Sequence, residues 1–132
     1  MLHIYANYQA KPFSSGDRSN PLVITLDGSR QAQSVQQLLL HNDDALKVYR
    51  SITLQMPASQ IPAGWTAKLI EQSRIPTAAD WLLVSSGNIL AMPDILDLNY
   101  YPFWIALTIP AGTSVQTLTS PGLLLNYSEQ LP

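Results

Sequence analysis

Residues 34–57, SVQQLLLHNDDALKVYRSITLQMP, decide the fold. Val35 through Leu40 form one apolar arm. His41-Asn42-Asp43-Asp44 follow as a turn, because Asn and Asp bond their own backbone and tolerate unusual dihedrals. Leu46, Val48, Ile52 and Leu54 make the second arm, and their even spacing keeps them on one face. The alternative is a helix starting at Asp43 or Asp44. Val48, Tyr49, Ile52 and Thr53 are poor helix formers, so the segment reads as strand, turn, strand, a hairpin.

The same alternation extends in both directions. Upstream, Leu2, Ile4, Ala6 and Tyr8 alternate with His3, Tyr5 and Asn7 as a first strand. The polar run KPFSSGDRSN, residues 11–20, is a loop. Pro21 opens PLVITLDG, with Val23 and Thr25 on one face, Leu22, Ile24 and Leu26 on the other, and Asp27-Gly28 as a turn. Downstream, residues 57–64 are a loop. Trp65, Ala67 and Leu69 alternate as in a strand over 65–72, although Ala67 to Gln72 also suits a short helix. The spacing of Thr77 and Asp80 can cap a short helical turn, with Trp81 to Val84 strand-like after it and Ser85 to Asn88 ending the run. Pro93 imposes extended or turn geometry within residues 89–99. Phe103–Ile109, Thr113–Leu118 and Leu123–Tyr127 read as strands, separated by turns at Pro110-Ala111-Gly112 and Ser120-Pro121-Gly122. Residues 128–132, SEQLP, read as a loose tail. Ten prolines and six glycines punctuate these runs. The pattern predicts one all-β domain over residues 1–132, an antiparallel sandwich of about seven to nine short strands.

Composition narrows the function. The chain has 132 residues, a net charge of −2 and only 12% charged residues. A nucleic-acid binder carries a basic surface to meet phosphates, so that class is disfavoured. There are no cysteines, which removes disulfides, thiolate metal sites and cysteine nucleophiles. The start, Met1-Leu2-His3-Ile4-Tyr5, has neither a basic n-region nor a long apolar h-region, so no signal peptide is expected. No apolar run approaches the roughly 20 residues that span a bilayer, so no membrane association is expected. No phosphate-binding loop, dinucleotide fingerprint or nucleophile elbow occurs, so no cofactor is expected.

Two stretches carry a resemblance: Val35 through Leu54, and Ile109-Pro110-Ala111-Gly112-Thr113-Ser114-Val115. Together they resemble immunoglobulin-like sandwich modules of the kind found in tailed-phage virion structural proteins. Such modules also occur in cell-surface and assembly proteins, so the resemblance implies an immunoglobulin-like fold and transfers no active site.

Candidate sites follow from residue chemistry. Asn99-Tyr100-Tyr101-Pro102-Phe103-Trp104 is the densest aromatic run. Tyr and Trp bury much area at small entropic cost, which suits a protein interface. Tyr100, Tyr101, Phe103, Trp104 and Trp65 are therefore the expected partner-binding residues. Alternation places Phe103 and Ile105 on one face and Trp104 and Ala106 on the other. At most half of these can fill a core unless both faces of the strand are covered. Trp65, Tyr101 and Trp104 could alternatively stack on sugar rings. Asp43-Asp44 and Asp94/Asp97 could offer oxygens to a cation, but they lack the Gly and Glu of a calcium loop, and no metal site is expected. His41, Asp43 and Ser51 do not make a catalytic triad merely by lying on neighbouring strands, and no catalytic residue is expected.

Low charge points the same way. Gln, Ser, Asn and Thr stand where soluble domains usually carry charge, and such surfaces suit lasting contact with other protein copies. The expected function is a non-enzymatic structural subunit of a larger assembly, a phage capsid, neck, tail or baseplate accessory. Its partners would be other subunits, itself included, and its location the virion. A carbohydrate-binding or adhesion module is the alternative, and a small enzyme ranks last.

Overall fold

The computed structural model describes residues 2–6, 23–26, 32–109, 116–119 and 123–132. The strands are β1 (Leu2–Ala6), β2 (Val23–Leu26), β3 (Ala32–Asn42), β4 (Val48–Gln55), β5 (Thr66–Ile70), β6 (Ile89–Ala91), β7 (Tyr100–Ile109), β8 (Gln116–Thr119) and β9 (Leu124–Gln130). One short helix, α1 (Ala78–Leu82), lies between β5 and β6. All pairings are antiparallel, so the expected all-β fold is the one observed.

A four-stranded sheet runs β1-β3-β7-β5, a three-stranded sheet runs β6-β4-β9, and β2 pairs with β8. Leu2, Ile4, Leu38, Leu40, Ala67, Leu69, Phe103, Ile105, Leu107 and Ile109 project from the larger sheet into a common core. Tyr49, Ile52, Leu54, Met56, Met92 and Ile95 meet them from the other side. Two sheets sharing one apolar layer make a sandwich, and each large buried side chain contributes about 1.5–3 kcal/mol. β6 extends the smaller sheet although it follows β5 in the chain, and β2 with β8 form a separate pair.

The deciding stretch folds as strand, turn, strand, but not as a hairpin. β3 and β4 belong to different sheets, and the turn carries the chain around a corner. Asn42, 1% exposed, anchors it. Its side chain accepts from the Asp44 N–H at 2.8 Å and donates to the Lys47 carbonyl at 3.0 Å. Asp44 in turn accepts from the Leu46 N–H. These are the local bonds for which Asn and Asp favour turns.

The expected single face through Val48 and Ile52 is also corrected. A β-bulge interrupts β4 between Arg50 and Thr53, with Ser51 at φ 53°. The extra residue shifts the inward parity, so Tyr49 and then Ile52 enter the core. Trp81 and Leu82 belong to α1, not to a strand. Residues 128–130 are not a loose tail, because β9 continues and pairs Ser128, Glu129 and Gln130 with Arg50, Tyr49 and Val48.

Strands at residues 2–6, 23–26, 66–70, 103–109 and 124–127 appear where alternation predicts them. The loop at 11–20 and the turns at 27–28, 110–112 and 120–122 lie outside the described residues.

Candidate functional site

The outer face of the four-stranded sheet has two halves. On one, Trp104 and Ala106 of β7 and Ile70 of β5 pack against Trp81 of α1. The helix begins with a complete capping box: the Thr77 hydroxyl accepts from the Asp80 N–H, and the Asp80 carboxylate accepts from the Thr77 N–H at 2.8 Å. The Trp104 indole donates to the Gln72 carbonyl at 2.9 Å, and Lys68 Nζ donates to the Trp81 carbonyl at 3.1 Å. The helix segment therefore lies across β5 and β7, and β7 is buried on both faces from Phe103 to Leu107.

The other half carries an aromatic cluster. The registers set His3, His41 and Tyr100 side by side across three strands, with Tyr5, Leu39 and Pro102 as the next row. His41 stacks on Tyr100 with ring centroids 4.0 Å apart and planes 8° from parallel. Tyr5 meets both rings edge-on at 5.8 Å. Burial, followed by the nearby Tyr100 and Asp43, raises the Tyr5 phenol above its ordinary range. His3 Nε2 lies 2.8 Å from Asp43 Oδ2 at the edge of this cluster. His41 Nδ1 is buried without a hydrogen-bond partner among the described residues.

The five expected partner-binding residues separate. Phe103 and Trp65 are core residues. Trp104 is buried under α1. Tyr101 is partly buried, packs against the core and donates to Asp97 at 2.9 Å. Tyr100 alone remains largely open, 53% exposed. The aromatic run is thus mostly packing, because both faces of β7 are covered. Pairing β1 to β3 and β3 to β7 also places Tyr5 and His41 beside Tyr100, a grouping that needed the strand register and that alternation alone did not contain.

The carboxylates have local duties. Arg50 donates to Asp94 at 2.8 Å. Asp97 accepts from the Asn99 N–H, the first cause holding its carboxyl below the usual range, and from Tyr101. Among the described residues no group of three His, Asp or Glu side chains could hold a metal ion. Ser51 lies on β4, in the opposite sheet from His41 on β3. Among the described residues no helix is long and apolar enough to cross a membrane.

The exposed surface is apolar in places. Trp81 turns inward from α1, whereas Leu82 and Leu83 are 82% and 87% exposed. Ile75, just before the helix, is exposed as well. On the smaller sheet, Ile89, Gln55 and Leu124 form one cross-strand row, and both Ile89 and Leu124 are open to solvent. No protein-family model matches this chain, and neither does any curated protein.

Proposed function

We propose that this protein is a non-enzymatic structural subunit that works within a larger protein assembly. The observation carrying this reading is the exposure of large aliphatic side chains, Leu82 and Leu83 foremost, on a chain that is only 12% charged. Single exposed apolar residues are ordinary. Leu82 and Leu83, adjacent in the chain, together with an exposed Ile75 ahead of the helix, add apolar surface to a chain with few charges to keep copies apart, which favours association. A tailed-phage virion component is the specific form, supported by the resemblance of residues 35–54 to such modules and by a strand order, β1-β3-β7-β5 with β4 beside β9, that parallels the A-B-E-D and C-F neighbours of immunoglobulin domains. The sugar-binding alternative loses two of its three stacking residues, since Trp65 and Trp104 are buried.

The test is the mass in solution by light scattering over a range of concentrations, at low salt and at about 1 M salt. At that strength surface charge interactions are screened within about 3 Å. A multimer that persists in high salt and dissociates on Leu82→Ser/Leu83→Ser substitution supports the reading. A strict monomer under all conditions overturns self-assembly.

A further inference from the structure

The sheet margins are not equally protected. β5 borders the larger sheet, but the turn at residues 86–88 covers it. The Ala67 N–H donates to Ser86 Oγ at 3.0 Å, and the Ala67 carbonyl accepts from the Gly87 N–H at 2.8 Å. Asn88 takes both groups of Leu69, accepting from its N–H and donating to its carbonyl at 2.9 Å each. β6 borders the smaller sheet but has only three residues. β1 has five residues and β9 has seven, and among the described residues no strand pairs with the outer edge of either, which leaves β9 the longest open margin.

The polarity of that edge follows from the ladder. Residues of an antiparallel strand direct their N–H and C=O alternately to either neighbour. Tyr49 exchanges both of its groups with Ile95, at 2.9 and 2.8 Å. Val48 and Arg50 therefore turn to β9, where they meet Gln130 and Ser128. By alternation along β9, the backbone groups of Leu125, Tyr127 and Glu129 point away from β4 and out of the sheet.

Natural edges usually carry lysine, proline or a bulge that blocks pairing. β9, LLNYSEQ, has no lysine or proline, and the bulge lies on β4. We propose that β9 pairs antiparallel with β9 of a second copy, about a two-fold axis at Tyr127. This deepens the reading as an assembly subunit and rests on it. Tyr127 is the middle residue of the strand, so this axis overlaps all seven residues. It also matches the three outward-pointing residues: Tyr127 faces its own copy, and Leu125 faces Glu129. Glu129 is the only charge in the strand, and in this register it meets leucine. Like charges opposite one another destabilise a strand pair, and here none occur. The product is a continuous six-stranded sheet, β6-β4-β9-β9-β4-β6.

The register has a direct test, because the chain contains no cysteine. Asn126 and Ser128 are exposed and would face each other across the two-fold axis. In that non-hydrogen-bonded position the Cα atoms lie about 4.5 Å apart, within disulfide reach. Asn126→Cys and Ser128→Cys proteins are prepared separately, and light scattering is recorded for each. Mild oxidation of the equimolar mixture gives a disulfide dimer, whereas either variant alone stays uncrosslinked. Equal crosslinking in all samples, or none in samples that remain multimeric, overturns β9 pairing and leaves the assembly reading standing. Monomeric mass throughout, at every concentration, overturns β9 pairing and self-assembly together.

Discussion

Asn42 is a buried amide whose donor and acceptor are both used within its own corner. Replacing it removes two bonds and leaves the Lys47 carbonyl and the Asp44 N–H without that partner. Asn42→Ala should cost about 1–3 kcal/mol, read by urea denaturation with an unchanged slope. Ser51 poses the opposite case, a residue with a side chain held at φ 53° by the bulge. The left-handed region costs a residue with a Cβ about 1–2 kcal/mol and costs glycine little. Ser51→Gly should therefore match or exceed the parent in stability, while Ser51→Val, β-branched, should fall below it. Equal stability of the two variants would mean that the bulge imposes no such constraint in solution. Tyr49 closes the same region, donating to Glu129 at 2.8 Å and meeting Tyr127 edge-on at 5.1 Å. Burial first, then the Glu129 carboxylate, raises its phenol well above the ordinary range.

Among the elements, α1 depends on its cap more than on its length. Five residues do not make a stable helix alone, and Trp81 packing on Trp104 supplies the rest. Thr77→Ala should cost about 1 kcal/mol, seen as a change in tryptophan emission at lower denaturant than the parent needs. Acid should act at the same place. The Thr77 backbone N–H holds the Asp80 carboxyl below its usual range. A lowered carboxyl stabilises the fold above its ordinary unfolded value, and that contribution fades as pH drops through the folded one. Loosening of Trp81 should thus begin in acid, and Asp80→Asn should flatten that dependence. The capping residues were legible because Thr-x-x-Asp is a local signal. That Trp81 continues the helix was not, because the tryptophan it packs against comes from a distant strand. The β5 margin was hidden in the same way. Alternation marked the strand, but its cover comes from Ser86, Gly87 and Asn88. Asn88→Ala should bare the Leu69 N–H and carbonyl, lower stability by about 1–3 kcal/mol and increase aggregation on concentration.

For the whole molecule, strand periodicity identified the sandwich because alternate residues along β1 and β5 report which face is buried. It left the pairing open. The turn after β3 could equally join two strands of one sheet or lead into a second sheet, since its Asn and Asp bonds are local in either case. Register decided the site too: Tyr5, His41 and Tyr100 lie far apart in the chain and meet only through the β1-β3-β7 ladder. The reading of Tyr100 to Trp104 as one partner surface was limited by the covering of β7. Once Trp81 occupies the outer face, Trp104 is interior.

The central ladder joins Ala32 to Ile109 and His41 to Tyr100. It can close only when the chain between those strands has been gathered, and entropy opposes such long closures before contacts repay them. During synthesis, β3 waits through the whole stretch from Asp43 to Asn99 before β7 begins to emerge. Until then its apolar side chains have no ladder partner on that side. Slow folding and a need for protection in the nascent state follow directly from this connectivity.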